Sequence, residues 1–514
     1  MFLWHFLVCA RLWYRRGIPC ALWLGKAGTV ACLLQKPPGN HHHLTAITAN
    51  FRILMIDARE KKTILFVAAL ASFLVPFTGS SITIALPAMA AQFNADAVML
   101  GWITSAYIIS AAIFIVPFGR YADIVGRKKI FLSGVIIYTA ASLACVFAPS
   151  VGFLIALRFI QGIGGAMLFA TSLAIVTQVY GTGERGWALG VTIATVYAGL
   201  SLGPFLGGVL TGLFGWPSIF LVNVPLGLVT IAFTLRGIRH EWADAAGETL
   251  DRAGAVIYCI MLFTFINGML LLPDPAGLGW IGAALVSGAV FVWWEKRAGH
   301  PLIDFSVFSG NRTFVFSNIA AMINYGATFG VGVLLSLYLQ YVQGFTAASA
   351  GLILVAQPVI QMIFSPIAGR LSDRIEPRIV STAGMAITAL GLSFCILLSP
   401  ETPLWVIVGS LMLMGLGYGL FSSPNTNAIM SSVEKRHLAI ASGMNATMRS
   451  IGQLLSMAIA MFCFAVFIGS ETITPAVYPA LMTSVTVAFI IFTALCVVGI
   501  AASWVRGTIH TDSD

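Results

Sequence analysis

Gly119-Arg120-Tyr121-Ala122-Asp123-Ile124-Val125-Gly126-Arg127-Lys128-Lys129 is a charged stretch set between two long apolar runs. Those runs, Val98 to Phe118 and Ile130 to Ala148, are each long enough to cross ~30 Å of hydrocarbon as a helix. Whatever joins them therefore lies at a membrane face. Arg120, Arg127, Lys128 and Lys129 outnumber Asp123, and short loops rich in Lys and Arg stay cytoplasmic. Gly119 is expected to let the chain turn where a side chain would collide, and Asp123 supplies an acceptor for a helix end or a nearby Arg. A weaker copy, Gly369-Arg370-Leu371-Ser372-Asp373-Arg374, comes later in the chain; a proline precedes each copy, Pro117 and Pro366. Two copies between apolar segments imply two related halves.

With 514 residues, 58% hydrophobic, 9% charged and a mean hydropathy of +0.92, the chain has too few polar residues to cover a soluble globule. It reads as an integral membrane protein with the lipid bilayer as its solvent. The net charge of +9 does not point to nucleic acid, because the basic residues are dispersed among apolar spans. Eight cysteines show no C-x-x-C spacing, so neither disulfides nor a metal site is expected, and no cofactor.

Residues 1–54 differ in character from the rest of the chain. They hold Arg11, Arg15, Arg16, Pro37-Pro38 and His41-His42-His43 without a span-length apolar run. A targeting peptide and a metal-binding tract are two readings; the plainer expectation is that the natural start is Met55 and that the upstream part is mistranslated or disordered. Beyond it lie fourteen candidate helices, at about 64–88, 98–118, 130–148, 152–177, 187–213, 218–236, 253–272, 278–294, 313–341, 347–368, 379–399, 404–430, 439–469 and 477–504. Every even-to-odd connection carries Lys or Arg, as at Arg185, Arg236/Arg239 and Lys435/Arg436. Every odd-to-even connection has none, and where charged holds only Asp96, Asp274, Glu401 or Glu471. Losing or adding one span would break this alternation, so both termini are expected in the cytoplasm.

Because the two hinge copies each follow the second helix of a six-helix set, the economical division is six plus two plus six. It gives an N-terminal bundle over 55–240, two inserted helices over 241–300 and a C-terminal bundle with a short tail over 301–514. The hinge pattern G-x-x-x-D-x-x-G-R-K/R resembles the signature of the major facilitator superfamily, and the fourteen-helix layout resembles its multidrug antiporter branch, the EmrB/QacA type. Matching stretches include Trp216-Pro217-Ser218-Ile219-Phe220-Leu221-Val222-Asn223-Val224-Pro225, Leu250-Asp251-Arg252-Ala253-Gly254 and Tyr338-Leu339-Gln340-Tyr341-Val342-Gln343-Gly344. The resemblance implies an all-α polytopic fold of two six-helix bundles plus two inserted helices. It also implies alternating access, with Gly119, Arg120, Asp123, Gly126 and Arg127 and their counterparts Gly369, Arg370, Asp373 and Arg374 acting as a gate in which Asp123 and Arg127 hold the outward-facing state.

In the fifth helix Gly199, Gly203 and Gly207 recur every four residues and form a side-chain-free stripe, which implies close approach of another helix. Pro204 beside it breaks a backbone hydrogen bond. With Gly208 the stretch resembles the superfamily's antiporter signature, G-x-x-x-G-P-x-x-G-G. In the fourth helix Arg158 has Gln161 and Gly162 on its side. A charge at the centre of a lipid-facing helix costs about 2.5–3.5 kcal/mol, so Arg158 is expected to face the protein interior and take part in transport. Further polar groups are Asn324, Gln357 and Gln361, then Asn425 and Asn427 beyond Gly415, Gly417 and Gly419, and Asn445, Arg449 and Gln453. Such groups must find partners or line water; together they outline a substrate cavity between the halves.

One departure bears on energetics. Relatives in this branch usually carry an acid in a first-helix stretch resembling D-x-T-I-V-N-V-A-L-P, and here Thr78-Gly79-Ser80-Ser81-Ile82-Thr83-Ile84-Ala85-Leu86-Pro87 has Thr78 in its place. No Asp, Glu or His lies inside any candidate span; Asp96, Asp123, Glu184 and Asp251 are at or outside helix ends. A proton entering down ~100 mV and one pH unit releases roughly 3.7 kcal/mol, enough for an ~500-fold gradient, provided some group titrates. Either Asp123 does this at the hinge, or the substrate carries the proton, or transport is uncoupled. Arg158 and Arg449, without an acid beside them, favour anionic, zwitterionic or neutral amphipathic substrates. An enzyme is not expected: Gly162-Ile163-Gly164-Gly165 falls inside a helix, and no G-x-x-x-x-G-K-[ST] marks a pump. The expectation is a monomeric multidrug-type secondary transporter of the cell membrane that moves small molecules, driven by the proton gradient; the alternative is an uncoupled facilitator or exchanger of anionic or neutral metabolites.

Overall fold

In the computed structural model the described residues are 57–507, apart from short gaps at 181–183, 272–273, 300–301, 303–309, 373, 434–437 and 470. Residues 1–54 and Asp373 lie outside them. Among the described residues there are fourteen helices long and apolar enough to cross a membrane, and no strand. In chain order they are α1 (Ala58–Phe93), α2 (Ala97–Val125), α3 (Arg127–Val146), α4 (Val151–Val179), α5 (Arg185–Phe214), α6 (Pro217–Gly237), α7 (Arg252–Leu271), α8 (Pro275–Glu295), α9 (Arg312–Val342), α10 (Ala347–Ser372), α11 (Pro377–Ile396), α12 (Leu404–Ser431), α13 (Leu438–Phe467) and α14 (Tyr478–Val505). Short polar side chains start several of them by taking an otherwise unpaired N–H. Asp96 accepts from Met99 N at 2.7 Å, Asp274 from Ala276 N at 2.8 Å and Asn311 from Phe314 N at 3.0 Å.

Packing partners repeat with an offset of eight helices. In the first set α1 packs on α5 and α6, α2 on α4, and α3 on α4 and α6; in the second, α9 packs on α13 and α14, α10 on α12, and α11 on α12 and α14. The contacts between sets follow the same rule, α5 on the first part of α10 and α13 on α2. Helices α7 and α8 pack chiefly on each other.

Three local features depart from the sequence reading. The hinge is a single residue: α2 runs to Val125, α3 starts at Arg127, and Gly126 between them has φ 125°. Gly119 is inside α2, where a Cβ would meet only Ala170 at 3.8 Å, so Gly126 and not Gly119 makes the turn. Second, α9 is broken after Thr328 because the Ser456 hydroxyl on α13 takes the N–H of Gly330 at 2.8 Å, and the helix ends in a π turn over Tyr338–Val342. Third, α10 is broken at Val355, three residues before Pro358, whose ring nitrogen leaves the Leu354 carbonyl without its helical donor.

The glycine stripe of α5 meets α1. A Cβ at Gly199 would stand 2.7 Å from the Phe73 carbonyl, one at Gly203 2.9 Å from that of Phe77, and one at Gly207 2.7 Å from Ser81 Cα. The Ser81 hydroxyl closes the seam by donating to the Gly203 carbonyl at 2.9 Å. Overpacking a seam this tight costs roughly 1–3 kcal/mol or more. Gly203→Leu is expected to lower the melting temperature of the purified protein by several degrees and to abolish transport. A variant with normal melting and normal transport would refute the close-packing account.

Candidate functional site

In the first bundle Arg158 is buried, and dipoles, not an acid, accommodate it. Its Nε donates to the Ile103 carbonyl of α2 at 3.3 Å, its Nη1 donates to the Gln161 side-chain oxygen, and its Cζ lies 4.6 Å over the Tyr107 ring. Gln161 passes the chain on, donating to Ser142 of α3 at 2.7 Å. Gly162 and Gly165 lie against Tyr107, where any side chain would collide. Tyr138 of α3 donates to Thr78 of α1 at 2.7 Å, so the position that replaces the missing acid is bonded inside the bundle. Buried like this, Thr78 does not line a cavity.

The hinge is held by its own side of the molecule. Asp123 accepts from Arg127 Nε at 2.8 Å and Nη2 at 2.7 Å. The connection from α6 to α7 then lies along the hinge: Arg127 N donates to the Trp242 carbonyl at 2.8 Å and Ala245 N to the Asp123 carbonyl at 2.9 Å. Three of its four acids face the basic cluster. Glu241 accepts from Lys128 N at 2.8 Å, Asp244 pairs with Arg127 at 3.1 Å and also with Gln178, and Glu248 pairs with Arg120 at 2.5 Å. A Cβ at Gly126 would run into the Glu241 carboxylate. This strap was missed in the sequence, although three acids within eight residues of a chain with 19 in all are the signal that marks it.

The second copy of the hinge is held differently. Arg370 and Arg374 are exposed and pair with no described carboxylate, while Gly369 faces Ser423 of α12. The clamp is Arg506, buried directly after α14. It donates to Asn425 of α12 at 2.7 Å, to Ser381 of α11 at 2.9 Å and to Ser317 of α9 at 3.5 Å. Burial draws its guanidinium down to about 10, with Glu376 opposing, so it is still a cation at neutral pH. Asn425 is thereby a buried structural partner and not a cavity residue.

Across the halves, hydrogen bonds gather at the end away from the hinge. Ser336 donates to the Thr83 carbonyl at 2.8 Å and Gln340 to that of Ile84 at 3.0 Å; there Gly351 of α10 lies against the Pro204 carbonyl and Gly208 against Ala347. Nearer mid-depth the Tyr197 and Ser365 hydroxyls are 3.4 Å apart. Beside them Arg449 of α13 is exposed, with its Cζ 4.7 Å over the ring of Tyr325. Of the expected cavity residues Arg449 is exposed, and Gln357, Asn427 and Gln453 are half-buried. Asn324, Gln361 and Asn445 are buried, and the glycines of α12 serve packing, Gly415 and Gly419 on α10 and Gly417 on α11. Asn324 is enclosed with no described partner for either side-chain amide atom. Among the described residues no three His, Cys, Asp or Glu side chains come together as a metal site.

Removing Arg158 leaves Gln161 and the Ile103 carbonyl short of a partner without breaking a helix, a loss of about 1–3 kcal/mol for each group. Arg158→Ala is expected to insert into the membrane and to lose transport. Normal transport by that variant, assayed in proteoliposomes, would remove Arg158 from the mechanism.

Comparison with known proteins agrees with this architecture. The family model of the Major Facilitator Superfamily matches residues 68–314 and 317–513. The chain is 32% identical to the cephamycin export protein CmcT of Amycolatopsis lactamdurans, over 77% of this chain and 84% of that one. It is 29% identical to the riboflavin transporter RibZ of Clostridioides difficile strain 630, over 79% and 89%, and to the multidrug resistance protein Stp of Mycobacterium tuberculosis, over 81% and 78%. Among solved structures, a bacterial homologue of the human lysosomal transporter Spinster in an inward-facing, unoccupied conformation superposes with a TM-score of 0.63 at 18% identity, covering 88% of this chain and 98% of that one. With fourteen spans in two sets that share one packing scheme, and with this match along nearly all of its described length, the chain is a multi-pass membrane transporter belonging to the Major Facilitator Superfamily.

Proposed function

We propose that this transporter exports amphipathic small molecules across the plasma membrane by alternating access, as a monomer with both termini cytoplasmic. The observation that carries the reading is the position of α5, whose glycine stripe lies on α1 of its own bundle while Pro204 and Gly208 lie on α10 of the other. A helix in smooth contact with both bundles is where one can rock against the other, because small residues give no side chain to unlock. With the hinge cytoplasmic, the bonds from Ser336 and Gln340 to α1 close the outer end. Export is supported by the relatives CmcT and Stp.

Export is driven by protons in this reading, with Asp123 as the acid that carries them. Asp123 joins the hinge to Arg127 and, through its carbonyl, to the strap. A second reading, uncoupled facilitation or exchange of anionic or neutral metabolites, draws on Thr78 and its bond to Tyr138 at the place where relatives usually carry an acid. The riboflavin-transporter relative supports such a substrate range.

Substrate-dependent proton flux in proteoliposomes, measured with cationic, neutral and anionic amphiphiles, separates the two. The expected outcome is proton movement that follows one substrate class and is lost in Asp123→Asn. Substrate movement without proton movement would establish the facilitator.

A further inference from the structure

We propose that Arg449 and the tyrosines around it form a binding subsite for small aromatic carboxylates. The inference rests on the transporter reading above and names the substrate class of its cavity. Arg449 stands in the middle of α13 and is exposed, yet its guanidinium is surrounded by the phenols of Tyr325 on α9, Tyr418 on α12 and Tyr197 on α5 of the other bundle. It therefore opens into the space between the bundles and not into lipid.

The guanidinium has work left to do. Among the described residues it has no hydrogen-bond acceptor and no carboxylate partner, in contrast to Arg158 and Arg506, whose N–H groups are taken by carbonyl, amide and hydroxyl oxygens. Its face is stacked on Tyr325, which leaves the in-plane N–H fork free, and that fork matches the two oxygens of a carboxylate. Tyr325 is itself held by an edge-to-face contact with Tyr418, centroids 5.4 Å apart at 87°, and Gly452 one turn beyond Arg449 lets it approach α13 closely. The platform is thus fixed in advance of any ligand.

The ring requirement comes from the same walls. Tyr197 is half-buried, faces Arg449 across the interface, and has its hydroxyl 3.4 Å from Ser365 of the other bundle. A flat ring carrying a carboxylate places its charge on Arg449 and its apolar faces on the tyrosines, touching both bundles together. A cation of the same shape meets an uncompensated guanidinium instead, with no acid to hold it.

The test uses naphthalene-1-carboxylate, 1-naphthylmethanol and 1-naphthylmethylammonium, which share one ring system, with binding to the full-length protein in nanodiscs read by calorimetry. The carboxylate is expected to bind at least tenfold more tightly than the other two. Arg449→Gln is expected to erase that preference. Arg449→Lys, which keeps the charge but not the fork, is expected to retain only part of it, and Tyr325→Leu to weaken all three ligands. Equal binding of the three by the wild-type protein, or an unchanged preference in Arg449→Gln, would overturn the subsite. The transporter reading fails separately: carboxylate bound at Arg449 but never moved in proteoliposomes would leave the subsite and remove its role in transport.

Discussion

A cation inside a bilayer has to be met by dipoles, by an acid or by water, and this chain takes the N–H groups of its buried arginines mainly with uncharged oxygens. Arg158 is surrounded by a carbonyl, an amide and an aromatic face within one bundle; Arg506 is held by an asparagine and two serines at the end of the other. Each joins three helices through uncharged acceptors, α2, α3 and α4 in one case and α9, α11 and α12 in the other. Transmembrane helices gain little from hydrophobic attraction to each other, so these polar crossings and the tight glycine seams are what hold each bundle as a unit. Two stiff units are what a rocking mechanism needs.

Much of this was legible in the sequence because membrane physics leaves few choices. Every backbone group must be bonded inside its own segment, so long apolar runs become helices, and the alternation of basic and non-basic loops counts them. The fourteen expected spans match the fourteen found within a few residues at most ends. The glycine stripe of α5 also announced its close contact, since a row without side chains has no other use in a helix.

What stayed hidden depends on contacts far apart in the chain. The break in α9 comes from Ser456, 126 positions away, and the role of Arg506 from Ser317, Ser381 and Asn425, which are local to nothing. Asn425 and Thr78 read as cavity residues because a polar side chain in an apolar helix looks the same whether it faces water or a partner. The break in α10 was the exception, for Pro358 is visible in the sequence. The strap from Glu241 to Glu248 adds to the expected Asp123–Arg127 pair a set of contacts that no local pattern at the hinge could show.

The central claim is that the two bundles move as units about the α5 contact, and a distance across the hinge end tests it most directly. Spin labels at Tyr121 on α2 and Ile375 between α10 and α11, both exposed, would be measured by double electron–electron resonance in nanodiscs, with and without an amphipathic substrate. Two distance populations whose ratio changes with substrate are the result the account predicts. A single distance, unchanged by any substrate that the protein binds, would contradict it.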